Sequence, residues 1–318
     1  MAAPTNTLVQ ASTVGIREDL EDDIYRVAAE ETPFTNNIGK MRIKGTLHEY
    51  QTEDLATPDP TNAHLEGDDV ASLDAPHTTV RISMRPQIFR KTGGVSRTNQ
   101  ISDRAGREDS LDEQKMIKGI ECRRDMEARF IGNYASNAES GATPRRTAGA
   151  LAWIEDHDSL GASGASGGWS SGDVAAATPG TARAFAESQV KAILATAFSN
   201  GARMSQAYLG PTHKQEFSAF SGIAETRVNT SKAKQTKIIG AADVYVSDFG
   251  NITLIPHPYG LGSDALLIDP SGWCVGTYDG VKTEPLAKTG DSDKFLMTTE
   301  KGIICKNQRK GAVIRALS

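Results

Sequence analysis

At 318 residues, 38% of them hydrophobic and 24% charged, the chain is long enough for about two domains, but its apolar share is low for a single compact globule. A formal net charge of -5 is the opposite of the basic surplus that a phosphate-gripping surface carries, which argues against tight nucleic-acid binding. Three isolated cysteines (Cys122, Cys274, Cys305) without C-x-x-C spacing argue against a disulfide framework or a zinc site, and no apolar run reaches the ~18 residues of a membrane span. The N-terminus has neither a basic nor an apolar leader segment, so reduced thiols and a cytosolic origin are expected.

Residues 1–42 read as an arm. Within it Arg17–Glu31 forms an acidic helix candidate with Leu20, Ile24 and Val27 on one narrow stripe, broken at Thr32-Pro33. So thin a stripe needs a neighbour to lie on. Residues 43–98 read as a long hairpin: Ile43–Thr52 rises, and Val80, Ile82 and Met84 alternate with Arg81, Ser83 and Arg85 in the descending limb. Its tip, Glu53–Pro76, is acidic and proline-rich, and a structureless loop of that length is rare inside a compact domain unless it is functional or disordered.

The longest helix is predicted over 111–136. Ser110 and Glu113 have capping-box spacing, Cys122, Met126, Phe130 and Tyr134 recur every fourth residue, and Asn137 and Gly141 follow. The Gly/Ser-rich stretch 157–180 reads as a flexible surface loop. A helix over 181–199, a strand at Ala207–Leu209 and a helix opening at Pro211 follow. Beyond residue 240 the pattern turns to strands: a hairpin about Ser247–Asn251, then Ala265–Ile268, Trp273–Gly276, Lys294–Thr298, Ile303–Lys306 and Ala312–Leu317.

Sequence patterns that suggest catalysis lack their contexts. Gly164–Gly168 matches the nucleophile elbow around Ser166, but without the strand and helix that would flank it. Asp248-Phe249-Gly250 sits in the predicted hairpin turn with no other kinase element. Asp156-His157-Asp158 are adjacent, so they cannot easily converge on one ion, and the remaining histidines are scattered. No enzyme, cofactor or metal is expected. The basic pairs Arg123-Arg124, Arg145-Arg146 and Arg309-Lys310 are too sparse for a nucleic-acid stripe but suit the acidic loop of an adjacent subunit. Such exposed pairs contribute ~0–1 kcal/mol each and set register more than affinity. Candidate inter-subunit residues are Leu20 and Ile24 of the arm, Asp54, Asp59, Glu66, Asp68 and Asp69 of the loop, and Arg123, Arg124, Arg145, Arg309 and Lys310.

Five stretches, in order and at fitting distances, carry a family resemblance. They are Pro86–Phe89 with Val95–Thr98; Glu113-Gln114, Ile120-Glu121 and Arg124–Glu127; Arg145–Ile154; His213–Phe217 with Phe220; and Glu284–Lys294 leading to Thr299-Glu300 and Asn307. Over nearly its whole length the chain resembles the major head proteins of tailed bacteriophages with the HK97-type fold. The resemblance implies an α+β fold: N-terminal arm 1–42, extended loop 43–98, peripheral domain with spine helix 99–150, axial domain 151–262, and strands 263–318 returning to the peripheral domain. It implies a structural subunit forming hexamers and pentamers of an icosahedral virion capsid, assembled in the host cytoplasm around double-stranded DNA held non-specifically, with a portal at one vertex. No helical prefix precedes the arm, so a separate scaffolding protein is expected, and a decoration protein is left open. The lysine–asparagine crosslink of some members is carried onto no residue here. The rival expectations are an encapsulin-like nanocompartment shell, another phage structural part such as a tail or decoration protein, and a hydrolase using Ser166.

Overall fold

A computed structural model describes residues 31–67, 69, 73–102, 109–220, 244–288 and 290–318. The arm helix expected at Arg17–Glu31, with Leu20 and Ile24, lies outside the described residues except for Glu31, as does Asp68.

Two sheets organise the chain. The first has four strands in the order β1 (Gly39–Arg42), β12 (Trp273–Leu286), β13 (Ser292–Cys305) and β4 (Gln87–Ser96). β1 joins β12 in parallel, and the other pairings are antiparallel. Residues 87–96, expected to close the long hairpin, instead pair along their whole length with β13, from Gln87 opposite Lys301 to Ser96 opposite Ser292. The two expected strands at 294–298 and 303–306 are one strand. Gly302, in the interval between the two candidates, is there for space: a Cβ would come within 2.6 Å of Met84 Sδ and 2.8 Å of Thr147 Oγ1. Along β13, Phe295, Met297 and Thr299 are buried on one face, and from Gly302 to Cys305 both faces are covered. An alternating strand thus becomes a continuously apolar one as a second layer closes over it.

Helix α3 (Ser110–Ile131) lies on this sheet through Cys122, Met126 and Phe130, with Phe130 edge-on to Phe89 at 5.7 Å. Its N-cap is Asp109 rather than Ser110, because the carboxylate reaches the amides of Leu111 (2.8 Å) and Asp112 (3.2 Å). It ends at Gly132, five residues before the expected stop. Tyr134, read as the next member of the buried row, stands outside the helix, half-exposed under the Arg129 guanidinium at 4.7 Å. At ~1.5 Å per residue the helix spans about 33 Å.

The second sheet has six strands in the order β5 (Asp158–Ser159), β14 (Gly311–Ile314), β11 (Ala265–Ile268), β8 (Gln206–Leu209), β10 (Gly250–Pro256) and β9 (Val244–Ser247). Helix α5 (Glu187–Ser199) covers it with Val190, Ile193, Leu194 and Ala197, and α6 (Pro211–Ser218) adds Phe217. The segment 263–318, expected to return whole to the first unit, therefore divides. β12 and β13 belong to the four-stranded sheet, whereas β11 and β14 lie inside the six-stranded one.

One buried charge cluster fastens this second sheet. Arg315 is wholly buried, its Nε 2.8 Å and 2.9 Å from the two Asp158 oxygens and its Nη1 3.3 Å from Asp264. It also donates to the Leu151 carbonyl. Burial pushes the Asp158 carboxyl up to about 6 against the opposing pull of Arg315, and burial raises Asp264 as well. The three cysteines are free and buried, and burial raises each thiol.

The Gly/Ser tract is a packed element, which corrects the flexible loop expected from its composition. Gly168–Ser170 (β6) and Asp173–Ala175 (β7) form a small hairpin with Val174 buried, and Ala165 bridges Thr178. Its glycines let backbones touch: a Cβ on Gly161 would strike the Thr181 carbonyl, and one on Gly180 the Gly161 carbonyl. Neither obstacle is a side chain that can swing away. Gly161→Ala is expected to cost about 1–3 kcal/mol and to lower the melting temperature by several degrees. A thermal melt indistinguishable from wild type would show that the tract is loose after all.

Candidate assembly interface

The alternation of Val80, Ile82 and Met84 makes the descending limb a strand, β3 (Val80–Met84), paired antiparallel with β2 (His48–Thr52) from His48 opposite Met84 to Thr52 opposite Val80. The root of this hairpin is fixed to the body. Tyr50 Oη donates to the Cys305 carbonyl at 2.7 Å, Ser83 Oγ to the Gly172 carbonyl at 3.0 Å, and Arg85 Nε lies 3.0 Å from Asp173. Burial raises the Tyr50 phenol. Beneath the root is a cleft of about 330 Å³ whose lining includes Ile82, Trp153, Trp169 and Arg309.

Beyond Thr52 the chain leaves the body. Its leucines are 88% (Leu55), 82% (Leu65) and 89% (Leu73) exposed. A monomer seldom leaves three large apolar side chains so open on one projecting loop, and such surface marks an interaction site.

Asp59 and Thr61 make a local turn: the Asp59 carboxylate accepts from Thr61 N (2.8 Å) and Oγ1 (2.6 Å), which holds it below the usual carboxylate range. Glu66 and Asp69 are exposed. Asp54 is held at the root by Arg309, 3.1 Å away, which also meets Asp156 at 2.9 Å.

Arg145, Lys310 and Arg124 also have partners in their own chain. Arg145 binds Glu300, the Pro86 carbonyl (2.9 Å) and Glu139 (3.4 Å). Lys310 meets Asp269 at 3.1 Å and Ser271 at 2.6 Å. Arg124 lies over the Tyr259 ring at 5.8 Å, while Arg123 is exposed. The structure therefore brings Arg309 together with Asp54 and disperses the rest.

The patterns singled out as catalytic stay apart. Ser166 is exposed before β6 with no helix following, and Asp248-Phe249 is the β9–β10 turn. His157 is buried between the Gly311 carbonyl (3.2 Å) and Asn200 (2.9 Å), while Asp156 and Asp158 face different arginines. Among the described residues no group of metal-ligating side chains converges.

Sequence reasoning missed a wholly buried carboxylate. Glu127 on α3 accepts from Phe34 N (2.6 Å), Thr35 N (2.9 Å), Thr35 Oγ1 and His257 Nε2 (2.9 Å). The available signal was its place between Met126 and Phe130, on the face that the periodicity assigned to the core.

An outstretched hairpin, a long helix laid across a four-stranded sheet, and a six-stranded second sheet together define an HK97-type capsid subunit. The Cyanophage A-1(L) capsid asymmetric unit superposes with a TM-score of 0.66 at 11% identity, covering 98% of this chain and 99% of that one. The phage G structure of gp27 major capsid proteins and gp26 decoration proteins gives a TM-score of 0.56 at 11% identity and covers all of both chains. The chain belongs to the SU10 major capsid protein family, which matches residues 3–318. It is also 32% identical over 135 residues to the major capsid protein of Escherichia phage Phieco32, a match that takes in 42% of this chain and 38% of that protein.

Proposed function

We propose that this chain is the repeating structural subunit of a tailed-phage head, and that copies of it associate into hexamers and pentamers that close an icosahedral shell around double-stranded DNA. The observation that carries the reading is the trio of exposed leucines, Leu55, Leu65 and Leu73, between β2 and β3. Burying a leucine is worth ~1.5–3 kcal/mol, so each loop laid on a neighbour gains on the order of 5 kcal/mol before its ordering is counted. That is marginal for one contact and ample for a closed ring, where each contact raises the effective concentration for the next. Residues 1–42 act as the arm, and the acidic balance suits a wall that encloses DNA without gripping it. Assembly takes place in the host cytoplasm with a separate scaffolding protein and a portal at one vertex, and a decoration protein can add to the finished surface.

Electron microscopy of the expressed protein tests this, with and without its scaffolding partner. Closed, regular shells are expected with the partner. Persistently monomeric protein under both conditions would refute the assignment, and shells that enclose an enzyme rather than DNA would move it to a nanocompartment.

A further inference from the structure

Helix α1 (Pro33–Asn37) cannot stand alone. Five residues are far too few for a helix in water, and its own N-cap residue, Thr32, makes no side-chain cap bond. The amides left open at its start are those of Phe34 and Thr35, and both are taken by the carboxylate of Glu127, 93 and 92 residues away in sequence. The cap of α1 is thus delegated to α3. Glu127 stands only four residues before the helix ends at Ile131.

The junction has a third member. His257 Nε2 donates to the same Glu127 oxygen as Phe34 N, its Nδ1 accepts from Tyr259 N at 3.4 Å, and its backbone amide is held by the Leu209 carbonyl at 2.8 Å. Phe34 packs edge-on against Tyr208 at 5.5 Å, and Asn37 Nδ2 donates to Tyr208 Oη at 3.1 Å. The segment joining the arm to β1 is therefore clamped between the last turn of α3 and the six-stranded sheet, with one carboxylate at the centre.

We propose that Glu127 is the positioning residue for the arm: α1 exists only while the last turn of α3 presents this carboxylate. Distortion of α3 near 127–131 and release of the chain ahead of residue 38 are then one event. The importance of this for assembly rests on residues 1–42 acting as an arm, but the coupling itself belongs to the single subunit.

Hydrogen exchange on unassembled subunits tests it, independently of whether shells form. In Glu127→Ala the amides of 34–38 should lose at least tenfold in protection while those of β13 keep theirs. Thr32→Asp, which supplies a local cap, should restore part of that protection in the Glu127→Ala background. Should Glu127→Ala fail to fold, Glu127→Gln, which keeps one acceptor oxygen, is read in its place and should show a smaller loss confined to the same amides. Unchanged protection at 34–38 would overturn the proposal. So would an equal loss in α1 and β13, or failure of Thr32→Asp to restore anything, since either would reduce Glu127 to a general core group.

Discussion

A subunit in which residues 53–76 are replaced by a short turn is expected to stay folded and soluble and to form no closed shells. The folded state loses little by the change. β2 and β3 keep their pairing, the described residues among those excised are exposed, and the ion pair surrendered, Asp54 with Arg309, is worth ~0–1 kcal/mol at a site this open. Shortening the loop lowers its closure entropy and returns about 1 kcal/mol, so the monomer's melting temperature should hold or rise slightly. Assembly loses the three leucines and the acidic tip together. Sedimentation and electron microscopy decide the matter: normal particles from the deleted protein would end the docking role of the loop.

The second large effect is expected at Arg315. Arg315→Ala leaves Asp158 and Asp264 buried without their cation, and breaking a buried pair of this kind costs about 3–5 kcal/mol, enough to lower the melting temperature by on the order of 10 °C. Asp158→Asn in the same background should recover part of the loss, because it removes one of the stranded charges. The effect also has a pH signature. Burial already raises Asp158 to about 6, above its ordinary value of 3.8, and removing the arginine takes away the main opposing influence. A carboxyl whose folded pKa lies above its unfolded one binds its proton more tightly in the native state, so it favours folding at low pH and loses that contribution as pH rises through the folded value. The variant's deficit should therefore be greatest near pH 7 and shrink toward pH 5. Denaturant melts showing a deficit that grows on acidification would contradict the assignment of the cost to buried carboxylates.

Much of this architecture was legible in the sequence, and the failures have physical causes. Alternation at Val80–Met84 and the four-residue recurrence through Cys122, Met126 and Phe130 each placed an element, because in each case a single period decides the backbone. The Gly/Ser tract was misread because composition reports entropy but not proximity. Gly161 and Gly180 are there so that two backbones can touch, which only the folded chain reveals. β13 was read as two strands, 294–298 and 303–306, because the room that Gly302 leaves for the Met84 and Thr147 side chains is likewise visible only in the fold. The candidates in the loop and the basic pairs were chosen by charge, and charge does not say whether a partner lies in the same chain. Arg145, Arg309 and Lys310 all found one there. Arg315 was overlooked because it stands in an apolar run and was absorbed into it, and Glu127 because it stands among charged residues, which ordinarily face solvent.

The division of residues 263–318 between the two sheets bears on how the protein is made. β12 and β13 lie between β1 and β4, and β14 lies between β5 and β11, so the first sheet keeps a gap until residue 305 has been synthesised and the second until residue 314. Pairings that span most of the chain form slowly. A nascent subunit must therefore carry open strand edges throughout its translation, exposed to any identical copies in the same condition. Productive folding then depends on keeping these half-built sheets from pairing with one another before their own last strands arrive.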